Sequence, residues 1–175
     1  MENNEMKPQD IIVLLKKITQ LGSELSGNKI AETLGVSTFS VSKSLERCRI
    51  SGLVDQQKKR VNVLALEEFL VHGVRYVFPA VTGRVVRGVP TFVSASPICE
   101  QIVAGNEAYV WPSPKGTARG QKVEPLYPTV PEAVQQDEEL YRLLVIVDTL
   151  RLGRVREREI ASRELHNYIV RYGEN

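Results

Sequence analysis

Three stripes of apolar side chains recur near the start of the chain at the three- and four-residue spacing of an α-helix. Their members are Ile11, Leu14, Leu15, Ile18 and Leu21 in the first stripe, Ile30, Ala31 and Leu34 in the second, and Val41, Leu45 and Cys48 in the third. Spacing of this kind gives a helix one inward face. The pattern therefore predicts three helices that share a core.

The junction between the second and third helices carries residues suited to ending one helix and beginning the next. Gly35 follows the second stripe, and glycine adopts the left-handed conformation of a helix C-terminus without steric cost. Ser37 fits the N-cap of the third helix, where a hydroxyl accepts from a free backbone N–H. Gly52 is a suitable end for that helix. Residues 28–53 are thus predicted to form two short helices joined by a tight turn.

A β-hairpin is predicted next. Residues 53–64, LVDQQKKRVNVL, contain two apolar runs that flank a polar tip with Lys58, Lys59 and Arg60. A short helix over residues 66–73 should follow. Residues 26–64 hold seven basic and three acidic side chains, a formal charge of +4, whereas the whole chain carries +2. Because Lys and Arg displace counterions from DNA phosphates, this local excess favours DNA binding over a helical hairpin without a DNA role.

The segment resembles the winged helix-turn-helix of bacterial transcription regulators, with a MarR-like DNA-binding domain over about residues 8–72. Ala31, Gly35 and Val41 stand at the spacing of the small residue, turn glycine and packed aliphatic of that motif. The resemblance implies that the third helix reads bases and that the hairpin binds phosphates. The predicted DNA-binding residues are Ser37, Thr38, Phe39, Ser40, Ser42, Lys43, Arg47, Lys58, Lys59 and Arg60.

The segment over residues 74–131 is rich in proline and glycine and has short β-type runs at residues 75–78, 83–86, 90–93 and 107–111. These runs predict either a loop-rich region with a small, irregular sheet or an extended arm that needs a partner surface. Two basic, glycine-bearing stretches, residues 82–88 and 115–120, could bind DNA flanks, a nucleotide or an acidic partner. Surface turns with solvated cations are the favoured interpretation.

Helices are predicted again after Pro131, the second of them over residues 155–170. The first carries an apolar stripe of Leu140, Leu143, Leu144, Val147 and Leu150. Soluble monomers rarely expose such a stripe. We expect it to form the interface of a homodimer that binds an inverted repeat. Burial against residues 74–131 of the same chain is the alternative.

The sequence gives little support for disulfides, metal binding, catalysis or a membrane span. Cys48 and Cys99 suggest no disulfide framework, and His72 and His166 have no metal-binding pattern around them. With no nucleophile elbow, zinc-protease or dinucleotide motif, we predict no enzymatic activity, no metal and no cofactor. No secretory leader is visible and no apolar run approaches the roughly 20 residues that span a membrane, which favours the cytoplasm.

The sequence thus predicts an α+β fold in three parts. These are a winged-helix domain over residues 1–72, a loop-rich β region over residues 73–130 and a helical dimerisation region over residues 131–175. The predicted function is a transcription regulator, a homodimeric repressor on double-stranded DNA. Residues 72–79, HGVRYVFP, also resemble antitoxin regulators of abortive-infection systems. That resemblance implies an alternative, a module whose C-terminal region neutralises a cognate partner protein.

Overall fold

A computed structural model describes residues 4–20, 25–103 and 105–173 and shows the predicted α+β fold. The helices are α1 (Pro8–Ile18), α2 (Gly27–Leu34), α3 (Thr38–Ile50), α4 (Val63–His72), α5 (Val74–Val77), α6 (Val130–Ala133), α7 (Glu138–Leu152) and α8 (Val155–Gly173). The strands are β1 (Thr82–Pro90), β2 (Tyr109–Pro112) and β3 (Ala118–Val123). Short 3-10 helices lie at Phe92–Ser94 and Val134–Gln136.

The first three helices form where the apolar stripes predict them. Gly35 ends α2 with a left-handed φ of 64°, and its N–H donates back to the carbonyl groups of the last turn. Ser37 caps α3, where its hydroxyl accepts from the backbone N–H of Ser40. The tight turn between α2 and α3 is therefore confirmed. Leu21, the last member of the first stripe, lies outside the described residues.

A short hairpin, residues 54–61, connects α3 to α4. Val54 and Val61 form an antiparallel β-bridge, and the Asp55 N–H donates to the Arg60 carbonyl at 3.0 Å. The following helix begins at Val63, three residues before the predicted start. It begins there because the Asn62 side chain caps α4 by accepting from the backbone of its first turn.

Each of the three strands pairs with both others. β1 is antiparallel to β2 and β3, and β2 and β3 are parallel to each other. The predicted run at residues 83–86 lies within β1, and the run at residues 107–111 overlaps β2 from Tyr109 onward. The predicted strand at residues 75–78 is wrong, because residues 74–77 form α5 and pack against α7. The run at residues 90–93 is also not a strand beyond Pro90, since a 3-10 helix begins at Phe92.

The central element of the molecule is α7. It packs against α1, α4, α5 and α8 and against both 3-10 helices. All members of its apolar stripe are at most 2% exposed, namely Leu140, Leu143, Leu144, Val147 and Leu150. The prediction that these residues form a dimer interface is wrong, because other elements of the same chain already cover them. The alternative, burial against residues 74–131, is correct only in part, because α5 and the 3-10 helix at Phe92–Ser94 belong to that segment whereas α1, α4 and α8 do not.

One apolar core runs through all three predicted parts of the chain. It includes Ile11 of α1, Leu66 of α4, Trp111 of β2 and Leu165 of α8. A partly buried ion pair also joins α1 to α7, since the Lys16 ammonium lies 2.5 Å from the Asp137 carboxylate that caps α7. The core therefore crosses both predicted boundaries, and the C-terminal helices support the helices that carry the candidate site.

Candidate nucleic-acid interface

The first turns of α3 present a polar surface to solvent. Thr38 and Ser42 are exposed, and the Phe39 side chain is 70% exposed. Lys43, one turn after Phe39, places its ammonium group 5.7 Å from the centre of the aromatic ring. This spacing is that of a cation–π contact between neighbouring turns of a helix. An exposed aromatic ring and a cation thus lie together where α3 begins.

Ser37 and Ser40 are engaged in the turn itself. The Ser37 hydroxyl accepts from the Ser40 N–H at 3.1 Å, and the two hydroxyl oxygens lie 2.9 Å apart. Both residues are predicted DNA contacts. A contact from either hydroxyl to DNA would add to the cap or replace one of its bonds.

Arg47 does not share this surface. Its side chain is 7% exposed, and its guanidinium donates two hydrogen bonds to the Asp10 carboxylate, at 2.8 Å and 2.5 Å. Asp10 lies on α1 and is fully buried. The hydrogen bonds to Asp10 raise the pKa of Arg47 above its already high ordinary value. The prediction that Arg47 contacts DNA is wrong, because the residue joins α3 to α1.

Glu46 joins α3 to the hairpin. Its carboxylate accepts from Arg49 at 2.6 Å and lies 2.5 Å from the Lys58 ammonium. Hydrogen bonds from Arg49 and Lys58 lower the pKa of Glu46 to about 2. Arg49 also donates to the Gln56 side chain at 3.0 Å. These four side chains, termed the Glu46 clamp below, fix the hairpin beside α3.

The predicted phosphate-binding cations at the hairpin tip differ in how far they are exposed to solvent. Asp55 organises the turn, because its carbonyl accepts from the Lys58 N–H and its carboxylate from the Lys59 N–H. Lys58 has a left-handed φ of 59°, an uncommon conformation for a residue with a side chain. The Glu46 clamp holds the Lys58 ammonium, whereas Lys59 and Arg60 are exposed.

An open cleft of about 300 Å³ lies between the starts of α1 and α3. Lys7 and Gln9 line this cleft together with Ser40 and Lys43. The buried side-chain nitrogen of Gln9 has no hydrogen-bond acceptor among the described residues. Lys7 and Gln9 extend the polar surface of α3 and were not predicted. They could not be predicted because the apolar stripe of α1 shows which face of the helix is buried, but not that the helix begins beside α3.

A second polar cluster, around Asp148 of α7, is buried. The Asp148 carboxylate accepts from the Thr91 hydroxyl and the Trp111 indole N–H, both at 2.7 Å, and from Arg151 at 2.8 Å. Burial raises the pKa of Asp148, while Arg151 and the other two donors oppose that shift. The cluster holds the sheet against α7. Sequence reasoning missed it because Thr91 and Asp148 are 57 residues apart.

The remaining candidate groups point to no other chemistry. Burial raises the pKa of the Cys48 thiol to about 12, which suits a core residue. In the described ranges, no three His, Cys, Asp or Glu side chains are placed to hold a metal ion. Within the same residues, no helix has both the length and the apolar character needed to cross a membrane.

Comparison with known proteins adds no relative to this description. No family model, no curated protein and no solved structure among those compared matches the chain.

Proposed function

We propose that the chain is a sequence-specific DNA-binding transcription regulator with a winged helix-turn-helix. One observation carries the proposal: the exposed start of α3 lies beside a basic hairpin that is clamped to the same helix. A helix start that projects from a compact core can enter the major groove, which is wide enough for an α-helix. A basic hairpin beside it can follow the phosphate backbone.

The residues divide into two roles in this proposal. Ser42 and Lys43 lie nearest to the base edges, and Phe39 contacts a thymine methyl group. The Phe39–Lys43 contact orders both side chains before DNA binds. Lys59 and Arg60 contribute phosphate contacts that carry no sequence information. Arg47 has no role at the interface, since it is bound to Asp10.

The proposed regulator is not a dimer built on α7. The stripe that was expected to join two copies is core, so one chain is proposed to occupy one segment of major groove. The alternative, a module that neutralises a partner protein through the C-terminal region, stays a prediction. The apolar stripe of α7 does not supply an interaction surface for it, because the rest of the chain covers that stripe.

Selection from a random duplex pool tests the proposal. Duplexes retained by the full chain are sequenced, and binding of the enriched duplex and a scrambled duplex is measured by fluorescence anisotropy from about 50 to 200 mM salt. We expect an enriched motif and affinity that falls linearly on a log–log plot against salt. A pool that stays random, with no salt-dependent binding to any duplex, would refute DNA binding.

A further inference from the structure

Two arginines face each other on the sheet. Arg87 of β1 is directly opposite Arg119 of β3 in the antiparallel register, and both are exposed. Residues in this position have Cβ atoms about 4.5–5.5 Å apart, and like charges there repel each other. Arg84, also exposed, precedes Arg87 on β1. The sequence favours two separate surface turns for these cations, whereas the structure places them on adjacent strands.

The chain does not neutralise these arginines as it does the neighbouring lysines. Lys115 pairs with Glu132 at 2.8 Å, and Lys122 pairs with Glu124 at 2.9 Å. In contrast, no carboxylate of the described residues pairs with the side chains of the three arginines, which are Arg84, Arg87 and Arg119. A repulsive pair of exposed guanidinium groups is suited to an anion that comes from outside the chain. Arginine can bind a phosphate through two parallel hydrogen bonds.

A series of contacts connects this pair to the turn before α3. A Cβ placed on Gly35, in that turn, would lie 3.8 Å from the Thr129 side chain. The Thr129 carbonyl accepts from the N–H of Glu132, which pairs with Lys115. Gly116 follows Lys115 in the chain and lies against the backbone of Gly88. Gly88 is the neighbour of Arg87 on β1. These contacts therefore connect the strand that carries Arg87 to the turn before α3.

We propose that Arg87 and Arg119 bind backbone phosphates of the DNA duplex beyond the segment that α3 reads. The inference rests on the proposed function, because it takes the duplex at α3 as given. Duplex DNA fits this surface because its phosphates form a continuous row of negative charge that extends past the α3 site. The surface lengthens the contact and adds affinity without adding base specificity.

The test compares the full chain with an Arg87→Ala/Arg119→Ala variant on two duplexes that carry the selected motif. The short duplex ends at the motif, and the long duplex extends by one helical turn on each side. On the long duplex, the variant should lower the salt slope by about two units, so the ratio of Kd at 200 mM to Kd at 50 mM falls about tenfold. On the short duplex, variant and wild type should bind alike.

Two further variants distinguish a phosphate contact of these arginines from an effect of the net charge of the protein. Arg154→Ala/Arg156→Ala removes the same charge near the start of α8 and should leave the salt slope unchanged. Arg87→Lys/Arg119→Lys keeps both charges and should keep most of the slope. Unfolding of the alanine variant in urea should occur at the same or a higher midpoint, because a like-charge pair has been removed.

The outcomes distinguish this inference from the proposed function. If the wild type binds neither duplex, the proposed function fails. If it binds both duplexes but the alanine variant keeps the wild-type slope on the long duplex, the arginine surface does not contact DNA and this inference alone is overturned. An equal loss of slope in the Arg154→Ala/Arg156→Ala variant would also overturn it, since net charge would then explain the effect.

Discussion

Single charged residues in this protein occupy two contrasting environments. The Arg47–Asp10 pair is buried between α3 and α1, where its carboxylate also accepts from the backbone N–H of Lys7. The Lys29–Glu32 pair on α2 is a surface contact with both side chains more than half exposed. Loss of one buried partner leaves an uncompensated charge in the core, whereas loss of a surface partner leaves a hydrated one.

Replacement of Asp10 by alanine should therefore destabilise the fold strongly. We expect the free energy of unfolding to fall by about 3–5 kcal/mol, because the Arg47 guanidinium would stay buried without its carboxylate. Urea denaturation followed by circular dichroism measures this change. Glu32→Ala is the matched control and should change the free energy of unfolding by less than about 1 kcal/mol. Similar effects of the two variants would show that the Asp10–Arg47 pair does not join the helices.

The same residues show what could be predicted at this scale. The roles of Gly35 and Ser37 depend on neighbours within a few positions, so the sequence was sufficient to assign them. The orientation of Arg47 depends on Asp10, 37 residues earlier, and no local pattern predicts that pairing. Arg47 was predicted to contact DNA only because it lies on α3 one turn after the residues expected to read bases. Tertiary packing turned its side chain toward α1 instead.

At the level of elements, the contact between the hairpin and α3 depends on the ionised Glu46 side chain. Its folded-state pKa of about 2 lies below the ordinary value of 4.5. A group whose pKa is lowered by folding contributes stability above its unfolded pKa and loses it as the pH falls through the folded value. The Glu46 clamp should therefore be intact at neutral pH and weaken between about pH 4.5 and pH 2.

Backbone ¹H–¹⁵N chemical shifts of the hairpin measure this directly. In the wild type, residues 55–60 should keep their neutral-pH shifts down to about pH 4.5 and then titrate together. In a Glu46→Gln variant they should already differ at neutral pH, and the part of the titration that comes from Glu46 should be absent. A wild-type titration that persists unchanged in Glu46→Gln would assign the transition to another carboxylate, and the clamp would not be what positions the hairpin.

Element types were predictable where the pattern was long or the turn chemistry strong. The stripes of α1 to α3 and of α7 gave the correct helices, and the helix predicted over residues 155–170 lies within α8. Residues 75–78 are β-branched and aromatic in part, which predicts a strand, but packing of α5 against α7 overrides that preference. Arg87 and Arg119 are opposite each other because of the register between β1 and β3. Residue composition does not predict that register.

For the molecule as a whole, α7 determines how the parts fit together. Its apolar stripe was located correctly in the sequence, but a helical pattern shows only that a face is buried and not what covers it. In the structure, α1, α4, α5 and α8 provide that cover. A substitution in the stripe should therefore act on folding and not on association between copies.

Leu144→Ala separates these two roles. We expect the variant to lose about 2–5 kcal/mol of unfolding free energy, the usual result of a cavity in a packed core. The midpoint of urea denaturation should be the same at low and high micromolar protein, for wild type and variant alike. A midpoint that rises with protein concentration in the wild type, and no longer does so in Leu144→Ala, would restore the stripe as an interface between copies.

The central claim is that α3 reads bases while the hairpin binds phosphates, and one affinity ratio tests it most directly. The ratio is the Kd for a scrambled duplex divided by the Kd for the selected duplex at fixed salt. Ser42→Ala/Lys43→Ala should weaken binding to the selected duplex by about 1–3 kcal/mol and lower the ratio. Lys59→Ala/Arg60→Ala should weaken binding to both duplexes alike and leave the ratio unchanged. An unchanged ratio in the α3 variant, with DNA binding intact, would contradict the account.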